Sequence, residues 1–135
     1  MEEHAITRPE DATTLSLKSF RPLAGSTEKP VLLWIHGGGY VMGSTGDTDQ
    51  TLAHVALETD CVVFSVDYRL APEHPYPAAL DDCCTSLSWL QENAVQLELD
   101  PARIAIGGAS AGAGFAAALA LKARDEDTQP VLFQL

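Results

Sequence analysis

Between Thr13 and Phe20, apolar Leu15 and Leu17 alternate with polar Ser16 and Lys18, the period of a strand with one buried face. Val31 to Ile35 is continuously apolar, which suits a strand covered on both faces of a parallel sheet. Residues 61–66 and 103–107 repeat that pattern and predict two more buried strands. Helical spacing appears in between. Leu52, Val55 and Ala56 share one face of a helix over 49–59, and Ala79, Leu80, Cys83, Leu87 and Leu90 share one over 78–94. A third helix runs from Ala111 to Arg124. Val131 to Leu135 reads as the start of a fourth buried strand. The stretch from Arg21 to Pro30 has turn composition, and the three prolines between Asp67 and Pro77 impose a long irregular connection. Strands alternating with helices define an α/β class with a mostly parallel sheet flanked by helices. No repeat, low-complexity tract or linker divides residues 1–135, so a single domain is expected.

Composition narrows the classes. The chain is 46% hydrophobic and 20% charged, the balance of a globular protein. A net charge of −11 argues against nucleic acid and anionic membranes as partners, because like charges repel. No apolar run is long enough to span a bilayer, and the acidic Met1-Glu2-Glu3-His4 start lacks the apolar stretch of a signal peptide. Cys61, Cys83 and Cys84 make neither a disulfide framework nor a metal-ligand spacing. Reduced thiols, a cytoplasmic location and no metal or organic cofactor are the expectations.

Two glycine clusters carry the chemistry. Gly108-Ala109-Ser110-Ala111-Gly112 lies between a predicted strand and a predicted helix. A serine on so sharp a turn is lifted from the sheet edge, and only small neighbours let strand and helix approach. The Ala111 amide opens the helix, where unpaired N–H groups and the helix dipole favour negative charge. The same residues, extended to Gly114, also fit the nucleotide-binding turn of NAD(P)-dependent short-chain dehydrogenases. Against that reading, three predicted strands precede the turn, and no tyrosine follows Tyr76. His36-Gly37-Gly38-Gly39 favours the nucleophile. Three glycines after a buried strand are costly in backbone entropy, and close approach of amides to an oxyanion gives them a reason.

With these motifs, the chain resembles the hormone-sensitive-lipase-like serine esterases, which have an α/β-hydrolase-3 fold. The likeness runs over His36 to Ser44, Val66 to Asp82 and Ile106 to Gly112. It implies that Ser110 is the nucleophile and that the amides of Gly38, Gly39 and Ala111 form the oxyanion hole. His36 would brace the glycine loop, with Gly37, Gly108 and Gly112 supporting the two motifs. Asp67, Arg69 and Glu73 would brace nearby loops, and His74 would be structural. Many relatives carry Asp before the serine, where this chain has Ala109. The resemblance further implies a small-molecule ester substrate.

That family orders its triad as serine, acid, histidine. After Ser110 the carboxylates are Asp125, Glu126 and Asp127, a charge cluster at a helix end, and no histidine follows; His4, His36, His54 and His74 all precede the serine. The expectation is therefore a partial α/β-hydrolase domain, without the N-terminal cap and the C-terminal strands that carry the acid and base. It would be a serine-type carboxylic ester hydrolase by family and weak or inactive alone. The alternative is a non-catalytic small-molecule-binding protein on the same scaffold.

Overall fold

The computed structural model describes residues 1–23, 28–126 and 131–135. Strands β1 (Glu2–Thr7), β2 (Thr14–Phe20), β3 (Lys29–Ile35), β4 (Val62–Asp67) and β5 (Leu99–Gly108) form one sheet, with helices α1 (Asp49–Thr59), α2 (Ala78–Glu92) and α3 (Ala111–Asp125). The spatial order is β1-β2-β4-β3-β5. β3 lies parallel to both β4 and β5, and its C-terminal end meets those of its neighbours at the Ile35–Val66 and Ile35–Gly108 pairs. The continuously apolar runs are thus the parallel centre of the sheet.

The sheet is mixed rather than mostly parallel, because β2 pairs antiparallel with β4 and β1 antiparallel with β2. β1 was not foreseen. It is an edge strand with Ile6 as its one buried side chain, so its sequence shows no apolar alternation. His4 helps hold it: the ring lies 5.5 Å from both Phe64 and Trp89, and its Nε2 is 2.9 Å from Ser19 Oγ. Burial, the largest influence on the ring, lowers the His4 pKa.

Leu15, Leu17, Leu33, Ile35, Phe64, Val66 and Ile106 pack against α2 and α3 on one face. Phe20, Leu32, Val63 and Ala105 pack against Leu52 and Ala56 of α1 on the other. All three helices fall where the periodicity puts them. Residues 131–135 do not form the expected buried strand. Their backbone runs beside β5, with Leu132 N–H donating to Ile104 O (2.7 Å) and Leu135 N–H to Ile106 O (2.9 Å). Leu132, Phe133 and Leu135 nevertheless remain exposed, because no described element covers them. Part of the expected 21–30 turn lies outside the described residues.

A buried ion cluster joins the β1–β2 hairpin to the start of α2. Asp82 is fully buried; its carboxylate takes Arg8 Nε at 2.6 Å, Arg69 Nη2 at 2.9 Å and the Arg69 backbone N–H at 2.8 Å. Arg69 also reaches Glu10 at 2.5 Å. Desolvation opposes the Arg69 charge, but the hydrogen bonds from Asp82 and Glu10 outweigh it and raise its pKa. Removing the Asp82 carboxylate leaves the buried Arg8 guanidinium without its anion and Arg69 with only Glu10 and Asp11. Asp82→Ala is therefore expected to cost about 3–5 kcal/mol in urea unfolding, and a loss below about 1 kcal/mol contradicts this assignment.

Candidate active site

β5 ends at Gly108 and α3 begins at Ala111, so Ser110 occupies the turn at the N-cap position of the helix, with no capping hydrogen bond from its side chain. Its backbone is at φ 53° and ψ −114°, a region that non-glycine residues seldom occupy. Backbone crossing at close range holds it there. A Cβ on Gly112 would lie 2.0 Å from Ile35 O and 2.6 Å from His36 O; one on Gly108 would lie 2.4 Å from Gly112 C. Ala109 N–H donates to Ile35 O at 3.2 Å, which pins the turn to the end of β3.

The glycine loop leaves that same strand end. Gly37 packs on the turn, since a Cβ there would come within 2.9 Å of Ala109 O and 3.5 Å of Ser110 Cβ. Gly38 (φ 130°) and Gly39 (φ 59°) take conformations that side chains resist. Gly38 O accepts from the amides of Val41 (3.2 Å) and Met42 (3.0 Å) and closes the loop on itself. Two independent backbone segments, 37–39 and 108–112, therefore meet beside one exposed serine. As first residue of α3, Ala111 has an amide with no partner in the preceding turn of its own helix.

His36 is buried, and its Nδ1 donates to Gly37 O at 2.7 Å. The ring stacks on Tyr68 at 4.2 Å and 16°, and the Tyr68 hydroxyl donates to His36 O at 2.8 Å. The imidazole is thus committed to the loop and to Tyr68. His36 Nε2 has no partner among the described residues. Burial pushes the Tyr68 phenol up to about 12 and the Cys84 thiol up to about 11, and it raises the Cys83 thiol well above its ordinary value.

Ser110 Oγ has no hydrogen-bond partner among the described residues, so no imidazole or carboxylate is poised on it. His54 is exposed on α1, and His74 is exposed on the proline-rich connection. Of the charged residues expected to brace this connection, Arg69 does so through Asp82 and Glu10. Asp67 and Glu73 are exposed and form no ion pair among the described residues. Asp125 and Glu126 pair with Arg124 and Lys122 at the far end of α3, while Asp127 lies outside the described residues. No group of side chains able to hold a metal occurs among the described residues.

A cavity of about 380 Å³ opens one helical turn from the serine, lined by Tyr40, Gly114 and Phe115 with Ala79, Leu80 and Ala118. Sequence reasoning missed Tyr40 and Tyr68 as parts of this region, although each lies inside a quoted motif. It also missed Asp82, whose signal is an acid on the apolar face of α2 alongside Ala79 and Cys83.

A strand–serine–helix turn set against a glycine loop at the C-terminal ends of the sheet's parallel strands defines a hydrolase scaffold. The chain belongs to the alpha/beta hydrolase fold family, whose model matches residues 32–135. Among curated relatives, it is 49% identical over 108 residues to esterase LipI of Mycobacterium tuberculosis, covering 80% of this chain and 34% of the relative. It is 42% identical over 123 residues to carboxylesterase NlhH of the same species, covering 91% of this chain and 39% of that one. Among solved structures, a bacterial heroin esterase superposes with a TM-score of 0.95 at 41% identity, covering 98% of this chain and 42% of that one. The chain thus spans well under half the length of these relatives. No helix among the described residues is long and apolar enough to cross a membrane.

The two kinds of glycine separate in mutants. Gly112→Ala drives a Cβ into the backbone of β3 and should cost about 3 kcal/mol or more. Gly39→Ala meets open space and should lose only about 1–2 kcal/mol, from its left-handed φ. Equal losses in chemical denaturation contradict the close crossing. The raised acids set an alkaline limit. Above pH 9 the unfolded chain releases cysteine protons, and above pH 10 tyrosine protons, that the folded chain retains. Stability therefore falls as pH rises through this window toward 12. Denaturant titrations should show that fall, with a smaller slope above pH 10 in Tyr68→Phe.

Proposed function

We propose that the chain carries the nucleophile and oxyanion-hole half of a serine carboxylesterase site. The observation that carries this reading is the strained Ser110 turn packed against Gly37, the first residue of the glycine loop. In this reading, Ser110 Oγ attacks the ester carbonyl carbon while a base takes its proton. The carbonyl oxygen becomes an oxyanion held by the amides of Gly38, Gly39 and Ala111. The tetrahedral adduct expels the alcohol, which takes up the proton. Water then attacks the acyl-serine, returns a proton to Ser110 and releases the acid. The names of the relatives, esterase and carboxylesterase, support the same reaction class.

The base is the component that the described residues do not bring to Ser110. His36 is engaged with Gly37 and Tyr68, and the other histidines make no contact with the serine. In this state the chain hydrolyses esters weakly, with the oxyanion hole supplying the residual rate. A binding protein on the same scaffold is the second reading, favoured by the unpartnered Ser110 hydroxyl beside a mostly apolar cavity.

An exogenous base separates the two. Imidazole in solution can accept the Ser110 proton, so fluorophosphonate labelling of the folded chain should rise with imidazole concentration and vanish in Ser110→Ala. A folded chain left unlabelled at every imidazole concentration, yet stabilised by ester analogues, establishes the binder instead. Fast hydrolysis of p-nitrophenyl butyrate without imidazole, lost in Ser110→Ala, shows that a base is already present.

A further inference from the structure

We infer that the α1 face of the sheet holds a buried water molecule, bonded to Ser65 Oγ, Trp34 Nε1 and Thr48 Oγ1. Each of these three atoms is buried, and none has a hydrogen-bond partner among the described residues. A buried polar group left unpaired costs the full desolvation penalty, and three in one place call for a common partner.

The strand register brings them together. Ser65 is fully buried and is the one polar side chain inside β4, between Phe64 and Val66. Side chains alternate across a strand, so Ser65 shares the face of Val63, which packs with Phe20, Leu32 and Leu52. Val63 pairs with Phe20 of β2 and Leu32 of β3; two residues on, Ser65 pairs with Lys18 and Trp34. The cover shifts in the same direction. β3 and β4 are parallel and α1 lies between them in sequence, so α1 runs back against them. Thr48 precedes Leu52 by one helical turn and stands over Ser65 as Leu52 stands over Val63. A polar layer of Lys18, Ser65, Trp34 and Thr48 thus follows an apolar one.

Trp34 is turned the right way. A Cβ on Gly107 of β5 would lie 3.3 Å from Trp34 Cε3, which puts the benzo edge of the indole over β5. Nε1 is on the opposite edge and faces β4 and Ser65. Lys18, on the other side of Ser65, is held by both Asp49 carboxylate oxygens at 3.0 and 2.9 Å, and closes the layer. The indole N–H can only donate, whereas each hydroxyl donates or accepts. Water accepts from Trp34 and bonds to both hydroxyls, and a polar site with three partners is what a buried water requires. An anion would sit beside the Asp49 carboxylate in a chain of net charge −11. Through Thr48, the water fastens the segment that begins at the glycine loop to a central strand.

A high-resolution crystal structure of the unsubstituted chain should show one solvent peak about 2.7–3.2 Å from all three atoms. In solution, the Trp34 indole N–H should show cross-relaxation with a long-lived water. Ser65→Ala and Thr48→Val each remove one anchor. The double variant should abolish that water signal, and its loss in Tm should be smaller than the sum of the two single losses, because both act on one bridge. Additive losses with an unchanged water signal overturn the inference. In the unsubstituted crystal, so does a direct hydrogen bond between any two of the three atoms, or the lack of a peak between them. An anomalous peak there in crystals grown in bromide assigns an anion instead and also overturns it. The crystal readouts decide the matter even where a variant fails to fold.

Discussion

The site depends first on the contact of α3 with the end of β3. Gly112 stands so near the carbonyls of Ile35 and His36 that no side chain fits between them. That contact forces the chain to turn at Ser110 and leaves the serine in a backbone conformation it would not adopt alone. It also brings the start of the glycine loop, which continues directly from β3, against the turn. The serine and the loop are thus neighbours because two backbones cross at van der Waals limits, not because their own side chains attract each other.

The rest of the fold holds that crossing in place. The parallel β4-β3-β5 centre aligns three strand ends, and apolar side chains on both faces fix it between α1 and the α2–α3 pair. His36 and Tyr68 brace the loop from behind by stacking and by hydrogen bonds to its carbonyls. Farther out, Asp82 collects Arg8 and Arg69, so that the N-terminal hairpin, the proline-rich connection and α2 share one buried charge cluster. A buried cluster of this kind is weak evidence of net stability, but losing one member is costly.

The legible parts of the sequence are those where a local pattern has a single cause. Continuous apolar runs marked β3 and β4 and the core of β5, because strands covered on both faces need them. The helices showed their 3.6-residue period. Gly108, Gly112 and the triple glycine stood out because small residues at such a turn have few other uses. β1 was not legible, since an edge strand buries little and Ile6 is the one β1 side chain that enters the core. The 131–135 stretch misled because its apolar residues line an edge without being covered. Asp82 and Tyr68 escaped because their roles depend on partners such as Arg8 and His36, which spacing along the chain does not reveal.

In the proposed site, the strained turn and the glycine loop form one receptacle for a tetrahedral oxyanion. A crystal structure of the chain with a phosphonate bound to Ser110 Oγ tests it most directly. The proposed oxyanion hole places the phosphoryl oxygen about 2.7–3.1 Å from the amides of Gly38, Gly39 and Ala111. A phosphoryl oxygen turned to solvent, with those three amides left unengaged, contradicts it.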